Sequence, residues 1–211
     1  MSQLFLKEGI LFMSALVQHK APSFSAQAIM PDGTEQSVSL SDYQGQAIVL
    51  FFYPKDFTFV WPSELIAFDH RIGDFQKRNV QVLGISIDDT DSHSKWRQTS
   101  ISEGGIGKVQ YPLLSDPDRA ITNLYNVLHE ETTFALRGSF LIDNKGTIQH
   151  QVVNNLPLGR DIDEMLRIVD ALQFHEQHGE VCPAGWSPGK AGMTPTAEGV
   201  AQYLSDNADS L

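Results

Sequence analysis

The sequence predicts an α/β domain, a central mixed sheet flanked by helices. Strand-like and helix-like patterns alternate along the chain, which favours layers of sheet and helix. The run Ala47-Ile-Val-Leu-Phe-Phe-Tyr53 is continuously apolar and stops at Pro54, as a buried strand does. Leu65, Phe68, Ile72 and Phe75 then recur at the spacing of one helix face.

In chain order, Ile48 to Tyr53 reads as the central strand, and the helix through Leu65–Phe75 leads to Val80–Ile87, its parallel neighbour. Asp91 to Ser102 and Asp118 to Val127 read as shorter helices. Ser139–Asn144 and Thr147–Val153 flank Lys145-Gly146, a turn signal, and make a hairpin. Asp161-Ile-Asp-Glu164 has the cap and the acid of a capping box. Ile162, Met165, Leu166, Val169 and Leu172 continue it as an apolar stripe. Strand, helix, strand, then hairpin and helix is the order of a thioredoxin-like fold. Beyond about Cys182, Pro183, Pro188 and Pro195 interrupt the chain. Only Thr196 to Leu204 could be helical there, with Pro195 at a first helical position. Such a tail must dock on a body or a partner. The expected boundaries are an N-terminal extension over 1–14, the domain over 15–178 and a C-terminal arm over 179–211.

At 211 residues the chain fits one domain with an extension, burying roughly 70% of its unfolded surface. With 41% hydrophobic and 19% charged residues it has the composition of a soluble globular protein. A net charge of −11 argues against nucleic acid or an anionic membrane as partner. Met1 to Phe12 carries Lys7 and Glu8 inside its apolar stretch and has no small-x-small cleavage site, so it does not read as a signal peptide. A cytoplasmic location is expected. The one cysteine, Cys182, cannot form an intramolecular disulfide. It is a buried inert thiol, a reactive thiol, or a bridge to another chain. The breaker-rich stretch around it, Gly179 to Lys190, argues against core burial.

The stretch Phe51-Phe-Tyr-Pro54-Lys-Asp-Phe-Thr58-Phe-Val-Trp61-Pro-Ser-Glu64 joins strand to helix. It puts Thr58 and position 61 near a helix N-terminus, where free N–H groups and the macrodipole favour an anion. Such a place suits a thiolate or a small oxygen-rich substrate. The spacing of Pro54, Thr58 and residue 61 resembles the active-site signature of the two-cysteine peroxiredoxins, close to the C component of alkyl hydroperoxide reductase. Trp61 stands where that signature has cysteine. Further segments match in family order from about Ala15 to Tyr203: Gly104–Gly107, Tyr111-Pro-Leu-Leu-Ser-Asp116, Ala135–Asp143 around Arg137, and Val181-Cys182-Pro183.

The resemblance implies a thiol-dependent peroxidase for hydrogen peroxide and organic hydroperoxides, without cofactor or metal. Position 61 is then the peroxidatic one, and Cys182 of the partner chain resolves it. Arg137 is the cation that lowers the thiol pKa and holds the peroxide oxygens. Thr58 offers a hydroxyl between thiolate and substrate, and Pro54, lacking an N–H, walls the pocket. The arm reaches across a homodimer, five dimers close a ring, and a thioredoxin-like or flavoprotein disulfide reductant resets the thiols. An indole neither ionises near neutral pH nor attacks as a thiolate does, so this chain is expected to be inactive. Its bulk is expected to displace the turn over residues 58–63 and open the loop. The alternative is a non-enzymatic, ring-shaped chaperone or scaffold of the same family; a thioredoxin-like binding module is a third reading.

Taken singly, Arg137 reads as a solvated arginine, Thr58 as a helix cap and Trp61 as an aromatic packing residue. Gly104-Gly-Ile-Gly107 lacks the spacing of a phosphate loop and reads as a mobile loop. In the family a Gly-Gly-Leu-Gly loop packs on a C-terminal helix with a Tyr-Phe pair; Ile106 and Tyr203-Leu204 make the match approximate. His175 and His178 lie three apart with no third ligand in suitable spacing, and read as surface histidines.

Overall fold

A computed structural model describes residues 15–58 and 62–210; residues 1–14, 59–61 and 211 lie outside the described residues. The expected N-terminal extension and Trp61 lie outside the described residues, as do residues 59 and 60 of the turn over 58–63 that its indole was expected to open; Pro62 and Ser63 of that turn belong to α1. The described strands are β1 (Ser25–Ile29), β2 (Glu35–Ser39), β3 (Ala47–Phe52), β4 (Val80–Ser86), β5 (Leu113–Ser115), β6 (Arg137–Ile142) and β7 (Ile148–Asn154). The helices are α1 (Pro62–Lys77), α2 (Thr90–Gln98), α3 (Ala120–Leu124), α4 (Ile162–His178) and α5 (Ala197–Asn207). The strands form one mixed sheet in the order β2-β1-β5-β4-β3-β6-β7. β3 and β4 run parallel, as do β4 and β5, while β6 lies antiparallel between β3 and β7. This is the thioredoxin-like arrangement. No described helix is long and apolar enough to cross a membrane.

β3 is apolar throughout because both of its faces are covered. Val49, Phe51 and Tyr53 meet Leu65, Phe68 and Phe75 of α1 and Met165, Leu166 and Val169 of α4. Ile48, Leu50 and Phe52 face the other way, onto Ile121, Tyr125 and Phe140. Phe51 stacks on Phe68 with ring centroids 4.2 Å apart, which fixes α1 against the sheet. α4 starts as its cap predicts: the Asp161 carboxylate accepts the amides of Asp163 and Glu164 at 2.9 and 3.1 Å. It ends at Gly179, whose φ of +69° a glycine adopts without penalty.

Several elements differ from expectation. β1, β2 and β5 carry no strong sequence signal; β5 pairs with β4, β1 with β5, and β2 with β1, so each joins the sheet through its neighbour. α2 stops at Gln98 rather than Ser102, because Thr99 turns extended and Ile101–Glu103 forms a separate 3-10 turn. α3 ends at Leu124, and Asn126 beyond it takes a left-handed backbone. In the tail, Thr196 caps α5 by accepting the Gly199 amide at 3.0 Å, so Pro195 lies outside the helix rather than at its first position. The glycine cluster is tied down, not mobile: Trp96 Nε1 donates to the Gly104 carbonyl at 2.9 Å, and Ile106 is buried. Residues 181–193 close into a loop through paired Val181–Met193 backbone bonds of 2.9 Å, and they rest on α4 of their own chain.

Candidate active site

Pro54 ends β3: it is buried, and it cannot donate to a ladder. The five residues that follow the strand fold back over a polar cluster. The Asp56 amide donates to the Asp88 carboxylate at 2.8 Å. The Asp56 carboxylate accepts the Tyr53 hydroxyl at 2.9 Å and pairs with His93 Nδ1 at 2.8 Å. All three side chains are buried. Burial alone would lower the His93 pKa, but the Asp56 bond and charge outweigh it and raise it. Phe57 sits at φ +52° with its ring exposed and 6.0 Å from Trp96. The Thr58 hydroxyl donates to the Lys55 carbonyl at 3.0 Å.

α1 then opens with Pro62, whose missing N–H costs nothing in a first turn, and Glu64 there favours the macrodipole. Arg137 begins β6, 73 residues beyond Glu64 and past β4 and β5, and its guanidinium is fully buried against that first turn. Its Nη1 donates to Glu64 Oε2, and its Nε donates to the Leu156 carbonyl at 2.8 Å. Arg160 holds the same carboxylate with Nε at 2.9 Å, Nη2 at 3.0 Å and its backbone N–H at 2.8 Å. Its Nη1 also donates to the carbonyls of Phe52 and Gly138, both at 2.8 Å, pinning the ends of β3 and β6 together. Burial by itself would raise the Glu64 carboxyl, yet Arg160 and then Arg137 hold it below the usual range. Both guanidinium groups converge on the Glu64 carboxylate and so bring positive charge up to the first turn of α1.

Of the residues singled out in the sequence, Arg137 reaches the turn that follows position 61, Pro54 closes the strand before it, and Thr58 is the last described residue of the intervening loop. Trp61 lies outside the described residues. Cys182 is elsewhere: half-buried, with Sγ donating to the Ala171 carbonyl of α4 at 3.5 Å. Burial pushes that thiol up, with Arg167 opposing. Glu64 and Arg160 escaped the sequence reading. Glu64 ends the strand–helix motif and Arg160 stands directly before the α4 cap; only their meeting in space shows their part. His175 Nδ1 bonds the Glu180 carbonyl at 2.7 Å, and His178 packs on Phe174 at 4.6 Å, so both finish α4. Among the described residues no group of three or more His, Cys, Asp or Glu converges as metal ligands do.

This fold and this strand–helix junction define a class, and comparison with known proteins gives the same one. Residues 17–151 match the model of the AhpC/TSA family, and residues 171–206 match that of the C-terminal domain of 1-Cys peroxiredoxin. The chain belongs to the AhpC/TSA family. It is 49% identical over 198 residues to alkyl hydroperoxide reductase C of Helicobacter pylori, covering 93% of this chain and 100% of that protein. Peroxiredoxin-1 of Gekko japonicus is 46% identical over 192 residues, covering 91% of this chain and 96% of that one. Among solved structures, the reduced 2-Cys peroxiredoxin of Plasmodium vivax superposes with a TM-score of 0.89 at 47% identity, over 91% of this chain and 100% of that one.

Proposed function

We propose that the chain is a thiol-dependent peroxidase scaffold for hydrogen peroxide and organic hydroperoxides whose peroxidatic position is occupied by Trp61, leaving it without turnover. The supporting observation is the buried Arg137–Glu64–Arg160 cluster bearing on the first turn of α1. A free thiol of pKa ~8.5 is only about 3% ionised at pH 7. A cysteine at position 61 would gain from the helix terminus and from Arg137, which together favour the thiolate. That thiolate attacks one peroxide oxygen, the O–O bond breaks, and a sulfenic acid and an alcohol or water result. Arg137 donates to the oxygens as charge develops, Thr58 offers its hydroxyl, and Pro54 keeps water from the thiolate. Cys182 of the partner chain then attacks the sulfenic sulfur, expelling water and forming an intersubunit disulfide. A dithiol reductant of thioredoxin-like or flavoprotein type takes over the disulfide.

In this reading the chain works as a cytoplasmic homodimer, with five dimers in a ring; the loop over residues 181–193 rests on α4 of its own chain, and the arm beyond it crosses to the other subunit. The half-buried Val200, Tyr203 and Asn207 of α5 share one helix face, and no α5 residue is fully buried, which fits a helix awaiting a second copy. The test is peroxide consumption with a thioredoxin-type donor, measured for this chain and for Trp61→Cys. The chain should be inactive and the variant active. A folded but inactive variant contradicts the proposal, the more so if the unaltered chain protects a client protein from heat aggregation.

A further inference from the structure

One face of α4 is given over to the loop that bears Cys182. Arg167, Ala171, Phe174 and His178 follow one another at helical spacing on that face. The Ala171 carbonyl takes the Cys182 thiol. The Phe174 ring lies 4.8 Å from that of Trp186, which is buried although the loop around it is not. Within the loop, Trp186 Nε1 donates to the Lys190 carbonyl at 3.1 Å, and Lys190 Nζ donates to the Gly185 carbonyl at 3.0 Å. Arg167 joins this unit to the helix. Its Nη1 donates to the Trp186 carbonyl at 2.6 Å, while Nε and Nη2 fork onto Glu164 at 2.6 and 2.8 Å. The fork fixes the guanidinium, so the bond to the loop is pre-organised and charge-assisted.

We propose that Arg167 is the positioning residue of Cys182: it latches loop 181–193 to α4 through the Trp186 carbonyl and so keeps the sulfur against the helix. The functional part of this rests on reading Cys182 as the resolving thiol, which must leave the Ala171 carbonyl to meet residue 61 of a partner. The latch then sets how often the thiol is presented. Arg167 is also the charge that acts on the sulfur, with Glu164 of α4 acting on Arg167 and His150 of β7 acting on Glu164. A charge role and a latch role predict opposite results when the guanidinium is removed. Losing the charge disfavours the thiolate and slows its reactions; losing the latch opens the loop and speeds them.

Because Cys182 is the one thiol of the chain, its reaction with dipyridyl disulfide, an uncharged reagent, reports on this site alone. The thiolate attacks one reagent sulfur, forming a mixed disulfide and releasing thiopyridone. Arg167→Met should accelerate the reaction by about ten-fold, the effect of one charge-assisted bond on local opening. Arg167→Lys, which keeps a donor for the carbonyl, should stay within about two-fold of the unaltered chain. Arg71→Met removes a surface fork onto Asp163 that does not touch the loop, and should change nothing. An unchanged or slower reaction in Arg167→Met overturns the latch, as does equal acceleration in Arg167→Lys. Should Arg167→Met fail to fold, Arg167→Gln and hydrogen exchange at the Val181 and Met193 amides give the same comparison, with faster exchange expected. A latch that behaves as stated, in a Trp61→Cys variant that forms no disulfide between 61 and 182, removes the resolving role and leaves the latch standing.

Discussion

Glu64 holds two buried guanidinium groups beside the first turn of α1, and each of them ties down a strand or loop end. Removing that carboxylate leaves like charges facing one another out of water. Glu64→Ala should therefore cost about 3–5 kcal/mol in urea unfolding, far more than loss of a surface pair such as Arg71–Asp163. The pH dependence follows from the directions of two shifts. With its folded pKa depressed, the Glu64 contribution is complete above about 4.3 and is lost as pH falls through the lower folded value. His93 has a raised folded pKa, so its contribution is complete below about 6.5 and is lost as pH rises through the folded value. Urea midpoints should peak between those limits and decline on both sides. Glu64→Gln should flatten the acid limb, and an acid limb that is unchanged would contradict this account of the cluster.

At the scale of elements, neighbouring glycines make unlike demands. A Cβ on Gly105 would lie 2.0 Å from the Thr99 carbonyl oxygen, which belongs to backbone and cannot turn aside. Gly104 has open space around it but a φ of +85°. Gly105→Ala should thus prise the loop from α2, at about 1–3 kcal/mol, whereas Gly104→Ala should cost about 1–2 kcal/mol through backbone conformation alone. Thermal unfolding separates them only if Gly105→Ala also releases the Trp96 indole from the Gly104 carbonyl, which hydrogen exchange at that side chain reads. Such close approaches are not legible in a sequence, where the cluster looks like slack chain. The elements with a full apolar face were legible: β3, β4, α1, α4 and the β6–β7 hairpin. β2 was not, because in Glu35-Gln-Ser-Val-Ser39 only Val38 is buried and the ladder to β1 does the rest. β5, three residues long, gives no periodicity to read.

On the scale of the whole molecule, the sheet order brings β6 against β3, and so delivers Arg137 to a helix 73 residues earlier in the chain. No local pattern contains that contact. Arg137 could be named from the sequence only through its matching segment; Glu64 lay inside such a segment but had no role to read there, and Arg160 lay outside every matching segment. The same topology leaves β2 and β7 at the edges of the sheet, and no residue of α5 is fully buried. The claim on which the rest depends is that the fold makes position 61 a place for a negative charge. Ultraviolet titration of the thiolate in a chain carrying Trp61→Cys with Cys182→Ser tests it directly. The account predicts a pKa more than a unit below ~8.5, moved back up by Arg137→Met. A thiol that titrates at its ordinary value, or that ignores the loss of Arg137, would contradict it.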